Sequence, residues 1–131
     1  PVCMKEGLHE AGKSASGHSL CRDAALSGYD AYVNIAGGVR LSEPAMDLAL
    51  VLAVISSYKD VPVSDKTIVF GEVGLSGEVR AVSMAKQRVQ EAKRLGFTKV
   101  ILPKSSMDQV KDIKGIELIG VSAVWDAMKC L

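Results

Sequence analysis

From residue 67 onward, short β-rich runs alternate with stretches of helical spacing, and this alternation constrains the fold more than any other feature. Residues 67–73 (TIVFGEV) predict a strand, 74–77 a turn, and 78–82 a return strand. Residues 84–95 predict a helix, because Ala85, Val89, Ala92 and Leu95 recur at spacings of three and four. Ser83 stands where a helix cap is wanted, and Gly96 is the expected stop. Residues 98–102 (TKVIL) predict a strand closed by Pro103, and 105–113 a short helix or turn. Residues 116–120 predict a strand and 122–131 an amphipathic terminal helix. Such a β-α-β-α-β-α order favours a partly parallel sheet covered by helices, so the fold class is α/β with a mixed sheet.

Upstream, residues 29–36 (YDAYVNIA) are β-rich and end at Gly37-Gly38. Ser42 can cap a helix and Pro44 fits its first turn, predicting a helix over 45–58, about 20 Å long at 1.5 Å per residue. Leu48 to Ile55 is an unbroken apolar run of eight. A run of that length also fits a strand; the cap and the flanking Asp47 and Ser56 decide for a helix, which should be central and buried. Residues 59–66, with Pro62, form a loop. Residues 1–28 show no sustained periodicity and are expected to be loop or frayed helix. The chain is thus expected to divide into a poorly defined segment, 1–28, and a folded unit, 29–131.

Two Phe, three Tyr and one Trp among 131 residues leave the core to Val, Ile, Leu and Ala. Sixteen Lys and Arg against fifteen Asp and Glu argue against a dedicated polyanion binder but allow a local basic face. The eight-residue apolar run is far shorter than a membrane span, and no charged-then-apolar leader precedes it, so a cytoplasmic protein without membrane contact is expected. Cys3, Cys21 and Cys130, odd in number and scattered, fit reduced thiols better than a disulfide frame.

Gly7-Leu8-His9-Glu10-Ala11-Gly12-Lys13-Ser14 satisfies the phosphate-loop pattern in full. Backbone N–H groups of such a loop cradle phosphates, Lys13 would neutralise them and Ser14 would ligate Mg²⁺. The chemistry also needs a buried strand before the loop and a helix after it. PVCMKE is a poor strand, and the SASGHSL run opposes a helix. The nearest metal-holding carboxylate after an apolar strand is Glu72, interrupted by Gly71. The match at Gly7, Gly12, Lys13 and Ser14 is therefore read as spurious, with a small nucleotide-binding protein as the alternative it would imply. His9, His18, Cys3 and Cys21 reproduce no zinc spacing, so no metal site is expected.

Several blocks occur in a fixed order: Asp30-Ala31-Tyr32-Val33-Asn34-Ile35-Ala36-Gly37-Gly38-Val39, Glu43-Pro44-Ala45, Gly71-Glu72-Val73-Gly74-Leu75-Ser76-Gly77-Glu78-Val79-Arg80, Gln87-Arg88-Val89, Gly96-Phe97 and an Ile-Leu-Pro ending. Over residues 29–131 this order resembles the C-terminal Lon-protease-like domains of bacterial RadA-type (Sms) DNA repair and recombination proteins. The resemblance implies the fold of the second domain of ribosomal protein S5. It also implies a longer protein with a zinc module and a RecA-like ATPase upstream, to which ATP, Mg and Zn would belong. No cofactor is expected here. A ring-like homo-oligomer, with a hexamer as its expected size, and contact with duplex DNA are the partner expectations.

Proteolytic Lon domains use a Ser-Lys dyad, in which a serine at a helix N-terminus is activated by a buried lysine. The resemblance puts Ala45 at the nucleophile's place and Lys86 at the lysine's. A methyl group cannot attack a carbonyl, so a Ser-Lys peptidase is the disfavoured alternative. Ser42 is one helical turn upstream and expected to be used as a cap, and Ser76 lies in the hairpin turn. Gly71, Gly74 and Gly77 read as backbone requirements of the strand–turn–strand, because Glu72 and Glu78 would repel an anion.

Lys86, Arg88, Lys93 and Arg94, followed by Lys99 and Lys104, form the most basic stretch, opposed only by Glu91. Lys86, Lys93 and Arg94 are the candidate DNA contacts. Arg88 lies about 200° round the helix from Lys86 and is expected in a structural or intersubunit ion pair with a carboxylate such as Glu72 or Glu78. With Phe97 as its one aromatic, the stretch lacks a stacking platform for single strands.

Overall fold

A computed structural model of the chain describes residues 43–131 and the backbone of residues 2–3 and 34–35. Strand β1 (Val2–Cys3) pairs antiparallel with β2 (Asn34–Ile35), Val2 opposite Ile35. The expectation of loop or frayed helix is corrected at Val2 and Cys3. A two-residue strand is too short to leave a periodic signal, and a partner far along the chain decides its conformation. The rest of 1–28 and the flanks of β2 lie outside the described residues.

A 3-10 turn, Pro44–Met46, leads into helix α1, Asp47–Lys59. Glu43 holds the cap position and makes no side-chain cap bond; the expected cap, Ser42, is outside the described residues. The turn is instead secured by the backbone of Gly71. The Gly71 N–H donates to the Ala45 carbonyl at 2.8 Å, and the Leu48 N–H donates to the Gly71 carbonyl at 3.0 Å. Both bonds need close approach: a Cβ on Gly71 would lie 3.0 Å from Val79 Cγ1 and 3.2 Å from Leu48 Cδ2.

That approach also splits the strand expected over 67–73. Strand β3 (Thr67–Val69) ends, the chain turns past Phe70 and Gly71, and β4 (Glu72–Val73) pairs antiparallel with β5 (Val79–Arg80) as a separate hairpin. Helix α2 (Ala85–Arg94) follows, with Met84 at its cap in the left-handed region (φ 60°) and no side-chain cap bond. Ser83 therefore does not cap it. Gly96 ends it as expected, at φ 87°, with the Phe97 N–H donating back to the Ala92 carbonyl at 3.0 Å.

Strand β6 (Lys99–Pro103), a second 3-10 turn at Lys104–Ser106, a single-turn helix α3 (Met107–Val110), strand β7 (Glu117–Val121) and helix α4 (Val124–Met128) complete the chain. The central sheet is parallel, in the order β3-β6-β7. Because side chains alternate along β6, Ile101 faces α1 and α4 while Val100 and Leu102 face α2 and α3. Leu48, Leu52 and Ile55 of α1 fill the first core with Val121, Val124 and Ala127. Ala85, Val89 and Ala92 of α2 fill the second with Phe70 and Val110. The fold is thus mixed α/β, with a parallel sheet held between two helical layers. The hairpin is stitched to α4 by Val79 N–H to the Ser122 carbonyl (2.8 Å) and Val124 N–H to the Gly77 carbonyl (2.9 Å).

Candidate functional site

Arg88, in the first turn of α2, reaches Glu43, the residue that precedes the 3-10 turn at Pro44–Met46. Its guanidinium forms an ion pair with the Glu43 carboxylate, donates from Nε to the Ser83 carbonyl at 3.0 Å, and lies 6.0 Å from the centre of the Phe70 ring. Arg88 thus has a carboxylate partner, but the partner is Glu43. Glu72 and Glu78 both pair with Arg80, eight and two residues from it. Cross-strand geometry explains the difference: Glu72 is the register partner of Arg80 in the hairpin, so the nearer cation takes it. Glu43 was visible in the sequence as the residue before Pro44, but its partner lies 45 residues away and only the tertiary fold supplies it.

Ala45, the expected nucleophile position, is 4% exposed and its carbonyl is already used by Gly71. Lys86 is exposed. Two residues along an α-helix turn it by about 200°, so the side of α2 that carries Arg88 to the turn carries Lys86 away from it. The group presented to the turn is therefore a guanidinium, which stays protonated and cannot serve as a base. Ser76 is engaged elsewhere: its hydroxyl donates to the Glu78 carboxylate at 2.6 Å.

That hairpin tip is tightly organised. Glu78 accepts from the Ser76 hydroxyl, from the Ser76 N–H at 3.2 Å and from Arg80 Nε at 3.0 Å. The Ser76 hydroxyl first, then Glu78's own backbone and Arg80, pull the carboxyl down to about 2. Arg80 is raised in turn, chiefly by the Glu78 hydrogen bond. Glu78 folds over Gly74, where a Cβ would collide with its carboxylate.

Among the candidate DNA contacts, Lys86, Lys93 and Arg94 are all exposed. Arg94 is paired with Glu91 on its own helix, and the hydrogen bond between them lowers the Glu91 carboxyl and raises Arg94. Lys93 Nζ donates to the Lys114 carbonyl at 2.7 Å, leaving two of its three N–H donors for other acceptors. That bond brings in Lys114, which the sequence reading passed over because it lies 21 residues away. Gly7, Gly12, Lys13 and Ser14 fall outside the described residues, as do His9, His18 and Cys21. Among the described residues no group of His, Cys, Asp and Glu could hold a metal ion, and no helix is long and apolar enough to cross a membrane.

Residues 25–106 match the protein family described as subunit ChlI of Mg-chelatase. The chain belongs to the ChlI family. A ChlI-family domain with a parallel sheet between helices agrees with the Lon-protease-like fold expected from the ordered blocks. Similar curated proteins are called DNA repair protein RadA. That of Bacillus subtilis is 49% identical over 104 residues, 79% of this chain and 23% of that protein. The Streptococcus pyogenes protein is 46% identical over 106 residues, 81% of this chain and 23% of its own length. The Halalkalibacterium halodurans protein is 48% identical over 104 residues, again 79% and 23%. The ChlI-family chain therefore spans about a quarter of the length of the curated relatives it matches.

Proposed function

We propose that this ChlI-family chain is a non-proteolytic Lon-like scaffold of a RadA-type DNA repair and recombination ATPase, working in the cytoplasm. The observation that carries the reading is the turn at Ala45. The place of a nucleophile holds a buried methyl group, and the cation presented to it is Arg88 instead of a lysine base. What remains at the old dyad is a structural joint between two helices, suited to holding shape. ATP, Mg and Zn chemistry would belong to the rest of the longer protein, with a RecA-like ATPase as its partner module. The chain itself needs no cofactor in this role.

Two activities follow for the chain: self-assembly into a ring-like oligomer, with a hexamer as the expected size, and contact with duplex DNA through lysine and arginine. The purified chain is expected to leave unfolded casein intact. Ala45→Ser is expected to leave it intact as well, because Lys86 faces away from the turn. Casein cleavage by wild type that Lys86→Ala abolishes would overturn the scaffold reading. Sedimentation analysis tests the assembly, and a monomer at every concentration would remove the ring from the proposal.

A further inference from the structure

The loops at the N-terminal ends of the three parallel strands bring together lysines that lie far apart in the sequence. The Lys66 carbonyl accepts from the N–H groups of both Thr98 (3.0 Å) and Lys99 (3.2 Å), fixing the approach to β3 beside the start of β6. The Glu117 N–H donates to the Thr98 carbonyl at 2.8 Å, which fixes β7 beside β6. Lys93, at the end of α2, reaches the Lys114 carbonyl just upstream of β7. Gly115, at φ 82°, makes the bend there, and a Cβ on it would lie 3.5 Å from Lys93 Nζ. Lys66, Lys93 and Lys114 are exposed and Lys99 is half-buried. Asp60, Asp65 and Asp112 lie in the same connecting segments, and Glu117 starts β7.

We infer that this sheet edge, formed by Lys66, Lys99 and Lys114 with Lys93 behind them, is the surface on which the chain receives the phosphate backbone of duplex DNA. The inference rests on the duplex-DNA reading above and relocates its contact from the exposed face of α2 to the strand ends. Two neighbouring-strand spacings separate β3 from β7, about 10 Å in all. Along one strand of duplex DNA the phosphates are about 3.4 Å of axis apart, so a row of that width meets about three of them. Backbone bonds hold the row at Lys66 and Lys99, and the Lys93 side chain holds it at Lys114, which limits the entropy lost on binding. On α2, by contrast, Arg94 is already committed to Glu91. Phe97 is half-buried against the second core, so it offers no free face for base stacking.

The test is a salt titration, from about 50 to about 200 mM, of a short fluorescent duplex binding the assembled wild type and variants. Lys66→Ala/Lys99→Ala/Lys114→Ala is expected to reduce the slope of log affinity against log salt by about 2 to 3. Lys66→Ala/Lys114→Ala leaves the strand residue in place, guards against a folding defect, and is expected to reduce it by about 2. Lys86→Ala/Arg94→Ala is expected to change it by less than about 1. Glu117→Gln, which removes a like charge from beside the phosphates, is expected to strengthen binding roughly two- to fivefold. Slopes that survive the sheet-edge changes but fall with Lys86→Ala/Arg94→Ala overturn the inference and leave the DNA reading standing. A wild type that binds no duplex at any salt overturns both.

Discussion

The two faces of the central sheet are covered by helices of opposite character. Helix α1 is apolar over eight consecutive positions and sends Leu48, Leu52 and Ile55 into its core. Helix α2 buries only Ala85, Val89 and Ala92 and carries charge or amide on most of its other positions. One face is therefore stabilised mainly by large aliphatic groups. The other brings a thin helix close to the sheet and draws more of its core volume from Phe70, Val100 and Leu102. The lesson is that a helix can define a protein's surface or its interior while both pack on the same strands.

Truncating the thick side should have the largest effect. Leu52→Ala is expected to cost about 2–5 kcal/mol in urea unfolding, and Val89→Ala about 2 kcal/mol. Equal or reversed costs would break the contrast between the faces. Arg88 joins the two sides, and its ion pair with Glu43 has side chains 26% and 50% exposed. The pair alone is worth little in water, so Arg88→Ala should cost roughly 1–2 kcal/mol, including the contacts to Phe70 and the Ser83 carbonyl. Arg88→Lys should recover only part of this, since an ammonium lacks the planar fork.

The hairpin belongs to the α1 side and responds to pH. Because the Glu78 carboxyl is lowered from 4.5 to about 2, its contribution is complete above 4.5 and is lost as pH falls towards 2. Melting temperature measured across that window should fall less steeply in Glu78→Gln than in wild type. Matching slopes would mean that the Ser76 and Arg80 contacts do not persist in solution. The smallest effect is expected at Ser106, 0% exposed, whose hydroxyl has no hydrogen-bond partner among the described residues. Ser106→Ala should leave the melting temperature unchanged or raise it, by no more than about 1 kcal/mol of stability. A clear loss would show that a bound water satisfies the hydroxyl.

Helix α2 was legible because its apolar residues repeat at helical spacing, and its end was legible because Gly96 takes a positive φ that few other residues tolerate. Its start was not: Ser83 looked like a cap, yet Met84 occupies that position and the Ser83 carbonyl serves Arg88. The break at Phe70–Gly71 was hidden for a related reason. TIVFGEV has the composition of one strand, and only the docking of Gly71 on the start of α1 divides it.

By itself the sequence determined most of the order of strands and helices from residue 43 onward and the parallel character of the central sheet, because these follow from local propensity and periodicity. The tertiary structure alone decided which charges meet. It paired Arg88 with Glu43 and Arg80 with Glu72 and Glu78, and it set Lys66, Lys99 and Lys114 along one edge. Charge partners depend on distances in space, and spacing along a chain fixes those distances only within a single helix or hairpin.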